Sequence, residues 1–133
     1  MLDDAEVVAF LDRRPLFEGH TLVVPRSHVV ELRDLDGPLR DELFARVQEI
    51  AAVVPDALGA EGTFVATNNV VSQSVPHLHV HVVPRRFKDG LRGFFWPRTT
   101  YASDLAAAAV AEHIRAALDE RRAARDSSGP TDL

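Results

Sequence analysis

The sequence predicts an α+β domain with a mainly antiparallel sheet. Short apolar segments joined by turns come first, one long amphipathic segment follows, and further short apolar segments come after it. The apolar residues thus recur every two residues, as in strands, in some segments and every 3.6 residues, as in helices, in others. With 133 residues, the chain is long enough for one hydrophobic core. We expect a single domain over residues 1–125 and a disordered tail over residues 126–133.

The first two strands are predicted at residues 6–11 and 20–24. Both segments are rich in β-branched and other apolar residues. Pro15 lies between them and Pro25 closes the second, and proline cannot donate to a strand ladder. We expect the two strands to pair through the connection at residues 13–19.

One amphipathic helix is predicted over residues 38–54. Asp36 can cap it, and Pro38 lies near the first helical position, where a missing N–H costs nothing. Pro55 is expected to end or kink the helix. A turn at residues 59–62 then leads to a strand at residues 63–67. The apolar stripe of the helix consists of Leu39, Leu43, Val47, Ile50 and Val54.

A strand at residues 77–83 and a C-terminal helix complete the prediction. In the strand, histidines alternate with apolar residues, so that His77, His79 and His81 are expected to share one face. The helix can be capped by Ser103 or Asp104 and is expected to end near residue 125.

Composition excludes several classes of protein. A net charge of −5 argues against a nucleic-acid binder, which needs many cations facing phosphates. The acidic N-terminus and the absence of a long apolar run predict neither a signal peptide nor a membrane span, and hence a cytoplasmic protein. Without cysteine, a metal would need histidine and carboxylate ligands. One local stretch, residues 85–98, is cationic and would favour a longer phosphate chain.

Three alternating histidines indicate a catalytic or metal-binding role. Val or Leu would fill such a face without the cost of burying imidazole, so a purely structural role is disfavoured. One interpretation is a zinc site, although the nearest acidic residues in sequence are Glu61 and Asp89. The other is nucleophilic catalysis, in which one imidazole attacks phosphorus while its neighbours fix its tautomer and bind oxygens.

The polar stretch before the histidines favours phosphate over metal. Amides and hydroxyls suit phosphate oxygens and leaving groups, and they are poor zinc ligands. The stretch contains Asn68, Asn69, Ser72, Gln73 and Ser74.

Two motifs carry a family resemblance. SQSVPHLHVHVVPR, residues 72–85, resembles the signature of the histidine triad (HIT) superfamily, His-φ-His-φ-His-φ-φ with φ apolar. FLDRRPLFEGHTLVVPRSH, residues 10–28, is similar to the family's first strand pair. The resemblance spans residues 6–98. It implies a HIT-like fold with one long central helix and a C-terminal helix.

The resemblance implies a role for each matching residue. His79 would be the nucleophile that forms a nucleotidyl-histidine, and His81 would contact the phosphate. His77 and His20 would hold the network behind the nucleophile, and Ser74 would protonate an amine leaving group. The implied substrate contacts are Gln73 and either Asn68 or Asn69 for phosphate, Asp12 for ribose, Phe10 and Leu22 for the base, and Trp96 for the partner subunit's site.

The implied activity is a nucleotide hydrolase or transferase that cleaves beyond the α-phosphate of a purine nucleotide derivative, with no cofactor and no metal. Members that bind structural zinc carry a Cys-x-x-Cys, which this chain lacks. The substrate can be a nucleoside phosphoramidate, an acyl adenylate or a dinucleoside polyphosphate. The alternatives are a dinucleoside polyphosphate phosphorylase, a nucleotide-binding regulator and a histidine-based zinc-binding protein. The resemblance also implies a homodimer with one continuous sheet.

Overall fold

The structure of the protein is a computed structural model that describes residues 1–91 and 99–127. It divides into two compact units, Met1–Leu91 and Arg92–Leu133. The first contains the sheet, a short 3-10 helix at Leu32–Asp34 and a long helix, and the described residues of the second include one helix. The expected single domain over residues 1–125 stays a prediction.

The sheet of the first unit has five strands, and every neighbouring pair is antiparallel. This confirms the α+β class. The predicted pairing of the first two long strands is also confirmed, since Val7 to Leu11 run against Pro25 to Thr21. The order across the sheet is β1-β2-β3-β5-β4, with β1 at Leu2–Asp3, β2 at Val7–Leu11, β3 at Thr21–Pro25, β4 at Gly62–Ala66 and β5 at Val80–Arg85.

Helix α1, Gly37–Leu58, packs on one face of the sheet. Its first turn is capped as predicted, because the side chain of Asp36 accepts from the N–H of Leu39 at 2.8 Å. Pro55 does not end the helix. The helix continues to Leu58 because a proline removes only one donor, while the carbonyl of Pro55 still accepts from Gly59 and Ala60.

The core lies between α1 and the sheet. Alternate residues of each strand point toward the helix, and the others point to the opposite face. That opposite face carries Phe10, Leu22 and His81, which lie side by side across β2, β3 and β5. The buried core consists of Val7, Ala9, Val23, Val80 and Val82 from the sheet, Leu43, Val47, Ile50 and Val54 from the helix, and Val29 and Leu78 from loops.

The histidine strand starts later than predicted. The expected strand covered residues 77–83, whereas β5 begins at Val80. The pairing with β3 stops at Val80 and the pairing with β4 stops at His81, so the preceding residues have no backbone partner in the sheet. The alternation nevertheless continues, with Leu78 buried between the half-buried His77 and His79.

The second unit contains helix α2, Asp104–Ser127. Ser103 caps it, accepting from the N–H of Ala106 at 3.1 Å. The first two residues of the predicted tail, Asp126 and Ser127, therefore belong to the helix, and the rest lies outside the described residues. Neither of the two long helices in the described part of the chain has the apolar length needed to cross a bilayer.

The backbone turn that leads into His20 depends on Gly19. Its φ of +92° is strained for any residue with a Cβ, and a Cβ there would collide with the side chain of Leu58. We expect Gly19→Ala to lower the free energy of unfolding by about 1–3 kcal/mol, measured by urea denaturation.

Gly59→Ala is the matched control. Gly59 also has a positive φ, +61°, but a Cβ there would meet no atom within 4 Å. Gly59→Ala should lower the free energy of unfolding only by the cost of a left-handed backbone, about 1–2 kcal/mol. A smaller loss for Gly19→Ala than for Gly59→Ala would contradict the collision with Leu58.

Candidate active site

A cleft of about 460 Å³ opens on the face of the sheet opposite α1. This volume lies within the usual range for small-molecule sites, about 300–1,000 Å³. Seven of the residues predicted from sequence meet there. The lining consists of Phe10, Asp12, Arg14, Leu22, Val24, Ser74, Val75, His77, His79 and His81.

His20 and His81 form the buried end of the imidazole network. The backbone N–H of Leu16 donates to Nδ1 of His20 at 3.2 Å, so the proton of the neutral His20 ring sits on Nε2. Nε2 then donates to Nδ1 of His81 at 2.9 Å. His81 in turn must carry its proton on Nε2, which makes this nitrogen a hydrogen-bond donor.

Burial keeps both rings neutral. It lowers the pKa of His20, whose side chain is almost fully buried, and the carboxylate of Asp12, 3.9 Å from Nδ1, opposes that shift. Burial also lowers the pKa of His81, and His79 and His20 lower it further, with Asp12 again opposing. The direction of the hydrogen bonds therefore holds at neutral pH.

His79 has the tautomer of a nucleophile. Its Nδ1 lies 2.7 Å from the backbone carbonyl of His77, which can only accept, so Nδ1 carries the proton. Nε2 is left with its lone pair, in a residue that lines the cleft. The rings of His79 and His81 lie 5.0 Å apart at an angle of 73°. The basic Nε2 of His79 and the donor Nε2–H of His81 thus belong to neighbouring rings of the cleft.

The ring of His77 bonds to Pro25 and His28 rather than to the rings of His20, His79 or His81. Its Nε2 donates to the carbonyl of Pro25 at 2.8 Å, and its Nδ1 lies 3.3 Å from Nδ1 of His28. Since Nε2 carries the proton of a neutral His77, Nδ1 accepts from His28. His28 is exposed, and no pattern in the sequence predicted a contact for it.

The lowered pKa values of His20 and His81 predict a loss of stability in acid. In the unfolded chain these rings take up protons near the ordinary value of about 6.5, and in the folded protein only at lower pH. Below about pH 6.5 the unfolded state therefore binds more protons, so stability falls as the pH falls. Above that value both states are neutral and this contribution vanishes.

Urea denaturation between pH 7 and pH 5 measures this effect. The midpoint should decrease with pH in the wild-type protein. His81→Gln, which has no titrating ring at this position, should show a shallower decrease. An equal slope in the two proteins would contradict the assignment to His81.

Of the polar side chains before the histidines, that of Ser74 lines the cleft. The amide of Gln73 instead donates to the carbonyl of Val30 at 2.6 Å and accepts from the N–H of Val70 at 3.2 Å. Asn69 accepts from the N–H of Leu32 at 2.8 Å. These two side chains hold the loop in place, and the exposed Asn68 does not line the cleft.

Arg14 also lines the cleft, although no motif in the sequence pointed to it. Its backbone N–H donates to the carboxylate of Asp12 at 2.8 Å, which places both residues in one turn. The described arginines of the cationic stretch at residues 85–98 are engaged outside the cleft. Arg85 is paired with Asp89 at 2.6 Å, and Arg86 donates to the carbonyl of Leu58. Trp96, like Arg92 and Arg98, lies outside the described residues.

A metal is the other possible use of these histidines. Among the described residues, Asp12, His20 and His81 offer ligand atoms within 4.8 Å of one another. Both ring nitrogens of His20 are already engaged, however, and Nδ1 of His81 accepts from one of them. A metal here would have to break this network, so the arrangement does not fit a zinc site.

The remaining groups fit attack on a phosphorus ester or amide. His79 supplies a lone pair, His81 an N–H for a phosphate oxygen, and Ser74 a hydroxyl for a leaving group. Asp12 can accept from a pair of sugar hydroxyls, beside the apolar walls made by Phe10 and Leu22.

The chain is similar in sequence to known proteins. The family model of the HIT domain matches residues 1–88. "Protein hit" of Bacillus subtilis is 35% identical over 104 residues, covering 77% of this chain and 70% of that protein. In Schizosaccharomyces pombe, an adenosine 5'-monophosphoramidase is 32% identical, covering 73% and 71%. An asymmetrical bis(5'-nucleosyl)-tetraphosphatase of the same yeast is 34% identical, covering 61% of this chain and 46% of the enzyme.

Solved structures share the fold. A HIT family protein from Bacillus anthracis superposes with a TM-score of 0.77 at 27% identity, covering 88% of this chain and 85% of that chain. A zinc-bound histidine triad family protein from Mycobacterium smegmatis superposes with a TM-score of 0.64 at 36% identity, covering 86% and 85%.

Proposed function

The chain belongs to the HIT domain family, and from this premise we propose that it is a nucleotide hydrolase or transferase that cleaves beyond the α-phosphate of a purine nucleotide derivative. The observation that carries the proposal is the tautomer of His79. With its proton held on Nδ1 by the carbonyl of His77, its Nε2 is free to attack.

The first step is attack by Nε2 of His79 on the α-phosphorus. A P–N bond forms, and the bond from phosphorus to the leaving group breaks with its electron pair going to the leaving group. Nε2–H of His81 donates to a non-bridging oxygen as charge develops there. Ser74 relays a proton from solvent to the leaving atom.

The second step regenerates the enzyme. Water attacks the phosphorus of the nucleotidyl-histidine, a P–O bond forms and the P–N bond breaks. Nε2 of His79 recovers its lone pair, and the water proton passes to solvent. Asp12 would hold the ribose hydroxyls in both steps, while Phe10 and Leu22 contact the purine.

The candidate substrates are nucleoside phosphoramidates, acyl adenylates and dinucleoside polyphosphates. Ser74 supports an amine leaving group, as does the similarity to a monophosphoramidase. Arg14 at the cleft supports a substrate with additional phosphates, as does the similarity to a tetraphosphatase. We propose both classes as substrates.

We also propose that the active form is a cytoplasmic homodimer. β4 lies at one edge of the sheet and β1 at the other, so a second copy can extend the sheet. Val65 on β4 and Phe44 on α1 are exposed apolar side chains that such a contact could cover.

The test uses the full chain with adenosine 5'-phosphoramidate and, separately, diadenosine tetraphosphate, in EDTA. AMP release is followed by chromatography and an adenylyl adduct by intact-protein mass. AMP release together with an adduct supports the proposal. Added inorganic phosphate that diverts the product to ADP would identify a phosphorylase. Nucleotide binding without AMP release or adduct would contradict enzymatic turnover and favour a nucleotide-binding regulator. Activity that is lost in EDTA would favour a zinc protein.

A further inference from the structure

The backbone of His79, the proposed nucleophile, is held by the side chain of Thr67. The hydroxyl of Thr67 donates to the backbone carbonyl of His79 at 2.7 Å, in a half-buried position. The two residues are 12 positions apart in the chain. Thr67 directly follows β4.

This hydrogen bond lies where the sheet stops supporting the chain. The last backbone pair between β4 and β5 is Ala66 with His81, and the last pair between β3 and β5 is Val23 with Val80. His79 therefore lies just outside both ladders. Through its side chain, Thr67 thus adds a hydrogen bond to His79 beyond the last backbone pair between β4 and β5.

Other hydrogen bonds hold the two residues before His79. The N–H of Leu78 donates to the carbonyl of Val29 at 2.6 Å, and Nε2 of His77 donates to the carbonyl of Pro25 at 2.8 Å. The carbonyl of His77, which fixes the His79 ring, is thus anchored from one side. The bond from Thr67 anchors the peptide of His79 from the other.

We propose that Thr67 is a positioning residue for the reaction, which fixes the His79 peptide so that Nδ1 stays on the carbonyl of His77 and Nε2 stays directed into the cleft. The proposal rests on the proposed function for its kinetic consequence. If the peptide of His79 rotates, the ring loses its alignment with that carbonyl. The proton is then no longer confined to Nδ1, and a fraction of the enzyme lacks its nucleophile.

The test compares three variants of the full chain. Thr67→Val keeps the shape and removes the donor, Thr67→Ser keeps the donor, and Thr63→Val makes the same change at the far end of β4. Thr67→Val should lower kcat about ten-fold while KM stays within about two-fold, because a misplaced catalytic group slows chemistry more than binding. Thr67→Ser and Thr63→Val should resemble the wild type.

The ring of His79 gives a readout without turnover. Nitrogen-15 NMR of labelled protein should show His79 protonated on Nδ1 in the wild type and in Thr67→Ser, and mixed tautomers in Thr67→Val. An unchanged tautomer with unchanged kcat in Thr67→Val would overturn the proposal. So would an equal loss of kcat in Thr67→Ser. A wild type without turnover would overturn the proposed function, and the NMR comparison alone would then decide the role of Thr67.

Discussion

Replacing His79 with alanine is expected to slow turnover by about 10⁴-fold or more, since removal of a catalytic nucleophile typically costs this much. The rings of His77 and His81 cannot replace it. Nε2 of His77 donates to Pro25, and Nδ1 of His81 accepts from His20. Steady-state AMP release measures the effect, and the adenylyl adduct should disappear from the intact-protein mass.

Nucleotide binding should survive in His79→Ala, because Asp12, Phe10 and Leu22 still line the cleft. Equilibrium dialysis with AMP checks this. His113→Ala, on α2, is the control and should keep wild-type turnover. Turnover of His79→Ala close to that of the wild type would eliminate the covalent mechanism.

Leu78→Ala is expected to lower the free energy of unfolding by about 2–5 kcal/mol. Leu78 is 0% exposed and belongs to the core, although it lies between two histidines of the site. Truncation leaves a cavity directly beneath His77 and His79. Urea denaturation measures the loss.

Two variants provide the controls for Leu78. Leu78→Met preserves volume and should cost less than about 1.5 kcal/mol. Leu11→Ala removes the same atoms from a side chain that is 54% exposed and should change stability by about 0.5 kcal/mol. Equal losses of stability in Leu78→Ala and Leu11→Ala would contradict the assignment of Leu78 to the core.

The parts of the fold that were predictable are those set by local patterns. The apolar stripe of α1, its cap at Asp36 and the pairing of β2 with β3 follow from residues close together in sequence. The start of β5 does not, because it depends on where β3 and β4 stop. The continuation of α1 beyond Pro55 depends on the hydrogen bonds that its carbonyl keeps.

The same distinction applies to the site. The alternation of histidines was sufficient to place His77, His79 and His81 in one cleft, since side-chain direction follows from extended geometry. The resemblance implied phosphate contacts for Gln73 and for Asn68 or Asn69. The hydrogen bonds of the Gln73 and Asn69 amides could not be predicted, because their partners are backbone atoms of distant loops at Val30 and Leu32. Thr67 gave no signal, because its partner is a carbonyl that any residue would supply.

The first donor of the imidazole network is the backbone N–H of Leu16. Every amino acid except proline provides that group, and the Leu16 side chain is 56% exposed. Evolutionary drift can therefore change the side chain at this position freely while the tautomers of His20 and His81 are inherited unchanged. The chemistry thus depends on a position whose side chain takes no part in it.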